Sequence, residues 1–218
     1  MPRALFEKTG NAVWISHLDL MRLFQRAFKR AGLSLTHTQG FNPRPSVSIA
    51  LPLSVGLESH CELLDFELET PVPCEQIKAL LNENLVEGVR ILSVYEDGAK
   101  LKHLALLDCT VKLEYDNGIP EGAEEAISAL FAQKELFVEK KGKNGTVEQD
   151  IIPMIRKLTV RQENRQVLCL DARICCQNPT LNPVQLSSAI AKYASNCTAN
   201  FVSCCRLELY DEQENVFR

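Results

Sequence analysis

The sequence predicts an α+β protein built as two tandem ferredoxin-like (βαββαβ) domains with antiparallel sheets, and three observations carry that reading. Residues 3–95 run through strand and helix signals in the order of that unit, each with its own hydrophobic period. A polar, glycine-containing stretch, Glu96-Asp97-Gly98-Ala99-Lys100, then interrupts the pattern. Beyond it a similar order returns, which places the domains at residues 1–98 and 99–218. The alternative is one α+β domain whose halves are alike by accident.

Taken in order, residues 3–8 read as a strand. Ser16 is suited to cap a helix over 16–31, because Asp19 stands three residues on, where a carboxylate reaches back to the cap and offsets the positive end of the dipole. At about 100° per residue Leu20, Met21, Phe24, Ala27, Phe28 and Ala31 share one face, which must dock on a sheet. Short strands are expected near 33–37 and 46–51, then a strand at 61–69, a helix at 74–84 and a strand at 89–95. The second half reads as a strand near 104–115, a helix at 121–132, and a hairpin with arms 134–140 and 146–151 around a Lys143-Asn144-Gly145 turn. Strand 166–175, helix 183–194 and strand 200–210 close the pattern.

A chain of 218 residues that is 45% hydrophobic and 24% charged excludes disordered and fibrous classes. No apolar run approaches the ~20 residues that cross a bilayer. The first residues carry Arg3, Glu7 and Lys8 where a signal peptide needs an apolar core, so a cytoplasmic protein is expected. A net charge of −4 excludes a binder of nucleic acid whose whole surface is basic, so any such site must be local. The charge is unevenly spread: residues 1–50 hold seven basic and two acidic side chains, while 51–100 hold three and ten. The positive end of the chain is its first fifty residues.

Within them, Arg22, Arg26, Lys29 and Arg30 fall opposite the apolar face of the first helix, with only Asp19 nearby to offset them. Contact with phosphate explains such a face, and a merely solvated helix is the alternative. Downstream, Gly40-Phe41-Asn42-Pro43-Arg44-Pro45 follows a short strand with His37 and Gln39. Its two prolines stiffen a loop whose Phe41, Asn42 and Arg44 are suited to stacking on an unpaired base and gripping a phosphate. The alternative is a crossover loop with Phe41 in the core. The expected RNA-binding set is therefore Arg22, Arg26, Lys29, Arg30, His37, Phe41, Asn42 and Arg44.

The same region carries a resemblance. Trp14-Ile15-Ser16-His17-Leu18-Asp19-Leu20-Met21-Arg22, then Arg26-Ala27, Arg30-Ala31-Gly32-Leu33, Gln39-Gly40-Phe41-Asn42-Pro43, and Ala50-Leu51-Pro52-Leu53 with Val55-Gly56 are similar to the radical-SAM-associated protein family of bacteria. The match is dense over 14–69 and thin beyond. Members of that family occur beside, or fused to, a B12-binding radical SAM protein. The resemblance therefore implies such a protein as partner, acting on RNA, with this chain as its accessory subunit in tRNA or rRNA modification.

Other candidates weigh less. His17 could act as a general acid or base, which leaves a metal-independent endoribonuclease of tandem ferredoxin-like type as one alternative and a protein-only adaptor of the radical SAM enzyme as another. Such ribonucleases carry a glycine-rich loop near the C-terminus, whereas the last glycine here is Gly145. Asp65, Glu67 and Glu69 line one face of a strand, but same-face positions lie about 6.6–6.8 Å apart, too far for a compact magnesium site. Nine cysteines include no C-x-x-C and no C-x-x-x-C-x-x-C, so reduced thiols that pack as small hydrophobes are expected. Six of them fall between Cys169 and Cys205, with no histidine spaced to complete a tetrahedral site. No cofactor, no metal and no intrinsic nuclease or transferase activity is expected.

Overall fold

A computed structural model describes residues 1–142 and 145–218; Lys143 and Asn144 of the expected turn lie outside the described residues. It is a mixed α+β protein with mostly antiparallel strand pairing and, among the described residues, four α-helices. The chain divides into two compact units, Met1–Leu101 with Arg218, and Lys102–Phe217. The sequence places that division three residues earlier, inside the polar stretch.

In the first unit the elements are β1 (Arg3–Lys8), α1 (His17–Arg30), β2 (Val47–Ile49), β3 (Glu58–Phe66), α2 (Cys74–Asn82) and β4 (Val89–Tyr95). The strand order is β4-β1-β3 with β2 on the far side of β3, all pairs antiparallel. Ser16 caps α1, its Oγ accepting the Asp19 N–H at 3.2 Å and donating to the Asp19 carboxylate at 2.7 Å. The helix buries Leu20, Phe24, Ala27 and Phe28. Phe24 meets Phe6 of β1 edge-to-face with centroids 4.9 Å apart, and Phe28 meets Phe66 of β3 at 5.0 Å. A short 3₁₀ turn at Gly10–Trp14, unmarked in the hydrophobic pattern, leads into α1.

The second unit holds β5 (Leu106–Glu114), α3 (Ala123–Phe131), β6 (Phe137–Gly142), β7 (Gly145–Asp150), β8 (Ile155–Asn164), β9 (Val167–Cys175), α4 (Val184–Tyr193) and β10 (Phe201–Tyr210). Its sheet runs β10-β5-β9-β8, antiparallel throughout, while β6 and β7 pair only with each other. The expected hairpin is present as β6 and β7 but stands outside the main sheet, and one expectation is corrected: β8, which the sequence pattern leaves as a connection, is a strand paired with β9. Strand β8 is polar for a physical reason: it ends the sheet, most of its residues are exposed, and a register shift between Ile155 and Lys157 breaks its alternation.

The expected strand at 33–37 is reduced to isolated bridges, Leu35 to Leu68 and His37 to Pro45. Pro43 and Pro45 lack the N–H groups a continuous ladder requires. The segment is held instead by single bonds, Thr36 N–H to Glu67 O at 2.9 Å, Ser46 N–H to Thr36 O at 2.8 Å and Thr38 N–H to Arg44 O at 2.8 Å.

Asp65 of β3 stands opposite Arg3 of β1 and takes it bidentately, at 2.6 Å from Nε and 3.1 Å from Nη2. The two side chains are only 14% and 6% exposed. Asp65→Ala would leave the largely buried Arg3 guanidinium without its facing carboxylate, with Ala99 O still accepting from Nη1 at 2.8 Å, so a loss of about 3 kcal/mol is expected. A urea unfolding midpoint within error of the wild type would contradict this.

Candidate functional site

The end of α1 shapes the site. Gly32, with φ +70°, follows the helix, and the chain folds back through two bonds, Gly32 N–H to Lys29 O at 3.2 Å and Leu33 N–H to Phe28 O at 3.0 Å. This is a Schellman closure, which needs a residue tolerant of the left-handed region at the position of Gly32. It turns Leu33 back against the last turn of the helix and sends 33–37 alongside it. Between them lies a groove of about 690 Å³, within the roughly 300–1,000 Å³ range of small-ligand clefts.

From α1 the groove receives Arg22, Arg26 and Lys29, all exposed, and His37 closes it from the extended segment. Its apolar floor is Phe28, Leu33, Leu35 and Pro45. Its one carboxylate among the lining residues is Glu69, whose N–H is anchored on Ser34 O at 2.9 Å. Three cations therefore face one anion. Arg22 shares Asp19, with Nη1 at 2.9 Å, while the side chains of Arg26 and Lys29 make no hydrogen bond or ion pair among the described residues. The Asp19 carboxyl sits below the usual range because it accepts from Ser16 and then from Arg22. Lys29 and Arg30 also complement the negative end of the helix dipole.

Four of the eight expected contact residues thus come together: Arg22, Arg26, Lys29 and His37. Arg30 turns away and donates to Asn84 O. Phe41, Asn42 and Arg44 belong to the 38–45 loop, where Phe41 is fully exposed and the Arg44 backbone pairs with Thr38. None of the three lines the groove. His17 opens α1, nine residues or about 14 Å along the axis from Arg26, and is also outside it. Leu33, Leu35, Pro45 and Glu69 are not among the contacts the sequence predicts: Pro45 reads only as a stiffening proline and Glu69 only as one of three carboxylates on a strand face. The Ala31-Gly32-Leu33 step held a signal for the fold-back, whereas Glu69 is brought in by tertiary pairing alone.

The acidic strand face does not converge. Asp65 is held by Arg3 and Glu67 accepts from Thr36 Oγ1 at 2.8 Å. No group of three or more His, Cys, Asp or Glu side chains suited to a metal occurs among the described residues. All nine cysteines are free, and burial pushes the thiols of Cys109, Cys176 and Cys204 up to about 12. Such thiols stay protonated at neutral pH and make poor nucleophiles or ligands.

Fold and groove together define an α+β protein with a cationic cleft beside the last turns of its first helix. The chain belongs to the family DUF2344, described as an uncharacterized protein conserved in bacteria, which it matches over residues 2–183. No curated protein matches it. Among solved structures, a chain of a Cbf5-Nop10-Gar1 complex is similar in fold, with TM-score 0.54 and 9% identity over 97% of this chain. This chain spans 50% of that one's length. An unknown protein from Galdieria sulphuraria aligns over 96% of both chains at 12% identity, with a TM-score of only 0.27. No helix among the described residues is long and apolar enough to cross a membrane.

Proposed function

We propose that the chain is a non-catalytic accessory protein that binds RNA through the α1 groove and presents it to a B12-binding radical SAM enzyme that modifies tRNA or rRNA. In the same reading both units are ferredoxin-like. The order β4-β1-β3-β2 and the order β10-β5-β9-β8 support this, since each places the first strand of a βαββαβ unit between its third and fourth. Strands β6 and β7 are then an insertion after α3.

The observation that carries the RNA reading is the meeting of Arg22, Arg26, Lys29 and His37 around one cleft, with the Arg26 and Lys29 side chains held by no hydrogen bond or ion pair among the described residues. Phosphate is the ligand such cations match. The partner rests on the resemblance at residues 14–69. The ribonuclease alternative draws nothing from the geometry, because His17 stands away from the groove.

A second reading, a protein-only adaptor, is favoured by one feature. Trp14, at the end of the 3₁₀ turn, and Leu18, in the first turn of α1, are 68% and 67% exposed, and two large apolar side chains four residues apart offer a protein partner a place to dock. Affinity purification of the tagged protein from its own host separates the two. The RNA reading expects bound RNA and a radical SAM protein, with the RNA lost from an Arg26→Glu, Lys29→Glu variant. A nuclease-resistant protein complex that carries no RNA would replace it with the adaptor reading.

A further inference from the structure

Resting on the RNA-binding reading above, we infer that the groove takes one unpaired guanine nucleotide, with Glu69 reading the base. The cations alone would bind any phosphate, so the rest of the lining must account for what lies between them. Leu33 and Leu35 are only 5% and 8% exposed, and with Pro45 they form an apolar floor beneath the charged rim. These leucines, with Phe28, belong to the core of the first unit, and the edge they leave at the groove gives the flat face of a nucleobase an apolar surface to rest on.

Glu69 then sets the choice of base. Its carboxylate makes no hydrogen bond or ion pair among the described residues, while its neighbour Glu67 is occupied by Thr36. Its backbone is fixed on Ser34, so the side chain is offered at the groove wall. A carboxylate only accepts hydrogen bonds, through two adjacent oxygens. Guanine alone among the four RNA bases presents two neighbouring N–H donors on its Watson–Crick edge, at N1 and N2. Adenine and cytosine set one exocyclic amine beside a ring acceptor, and uracil sets one N–H between two carbonyls. Two parallel N–H groups meeting two carboxylate oxygens is the arrangement that favours the Arg–carboxylate fork. The other bases would bring a lone pair against the second oxygen. An unpaired nucleotide is required, since in a duplex that edge is already paired.

The test is a fluorescence or calorimetric titration of the full chain with 5′-GMP, 5′-AMP, 5′-CMP, 5′-UMP and inorganic phosphate. The 5′-GMP is expected to bind at least about tenfold tighter than the other three nucleotides, and tighter than phosphate. Glu69→Gln should bring the four nucleotides within about twofold of one another, and Arg26→Ala should weaken all four alike. Both residues are exposed, so neither substitution threatens the fold. Equal binding of the four nucleotides by the wild type, or a guanine preference that survives Glu69→Gln, would overturn the inference. If binding of bulk tRNA persists in that case and still depends on Arg26, the RNA-binding reading stands without it. Failure of both nucleotides and tRNA to bind removes the two together.

Discussion

Gly88→Ala is expected to destabilise the first unit by roughly 3 kcal/mol or more, a penalty confined to the few mechanisms that exceed ordinary substitutions. Gly88 ends the turn between α2 and β4 at φ +82°, a region L side chains enter with strain. A Cβ there would stand 2.4 Å from Thr9 O and 2.9 Å from the Ala12 Cβ. Thr9 precedes and Ala12 belongs to the 3₁₀ turn that feeds α1, and the Thr9 N–H is bonded to Gly88 O at 2.8 Å. Neither contact is a flexible side-chain end that could swing aside. The site shares the consequence, because displacing that turn displaces the helix that carries Arg22, Arg26 and Lys29. Thermal unfolding should fall by at least about 12 °C for a unit of this size, at roughly 4–8 °C per kcal/mol. A fall of under about 3 °C would show that the turn yields cheaply and that α1 is not seated through it.

How much of this was legible in the sequence depended on whether a feature was local. The start of α1 was written in Ser16 and Asp19, its buried face in the spacing of Leu20, Phe24, Ala27 and Phe28, and β4 in the apolar residues of 89–95. Each of these follows from neighbours within a turn or two. The edge strand β8 was not legible, since its ladder to β9 depends on a partner while its own residues face water. The basic half of the groove was visible because one helix supplies it. The apolar floor and Glu69 were not, because they arrive through a Schellman closure and through pairing of Ser34 with Glu69 across 35 residues. Asp65 illustrates the same limit. It looked like one of three equivalent carboxylates until Arg3, 62 residues away, claimed it.

If Arg22, Arg26 and Lys29 meet phosphates, the salt dependence of RNA binding measures that contact directly. Each phosphate neutralised contributes about −0.7 to −0.9 to the slope of log K against log salt, according to strandedness. With three cations engaged, the wild type should show a slope of roughly −2 to −3 with bulk tRNA between about 50 and 200 mM salt. The double reversal Arg22→Glu, Arg26→Glu removes two contacts and adds two repulsions. Both positions are exposed, so the fold is expected to survive unchanged. The slope should flatten by about 1.5 or more, and affinity at the low-salt end should fall by at least roughly a hundredfold. A double variant that keeps the wild-type affinity and slope would contradict the claim and leave α1 as a solvated helix with no part in binding RNA.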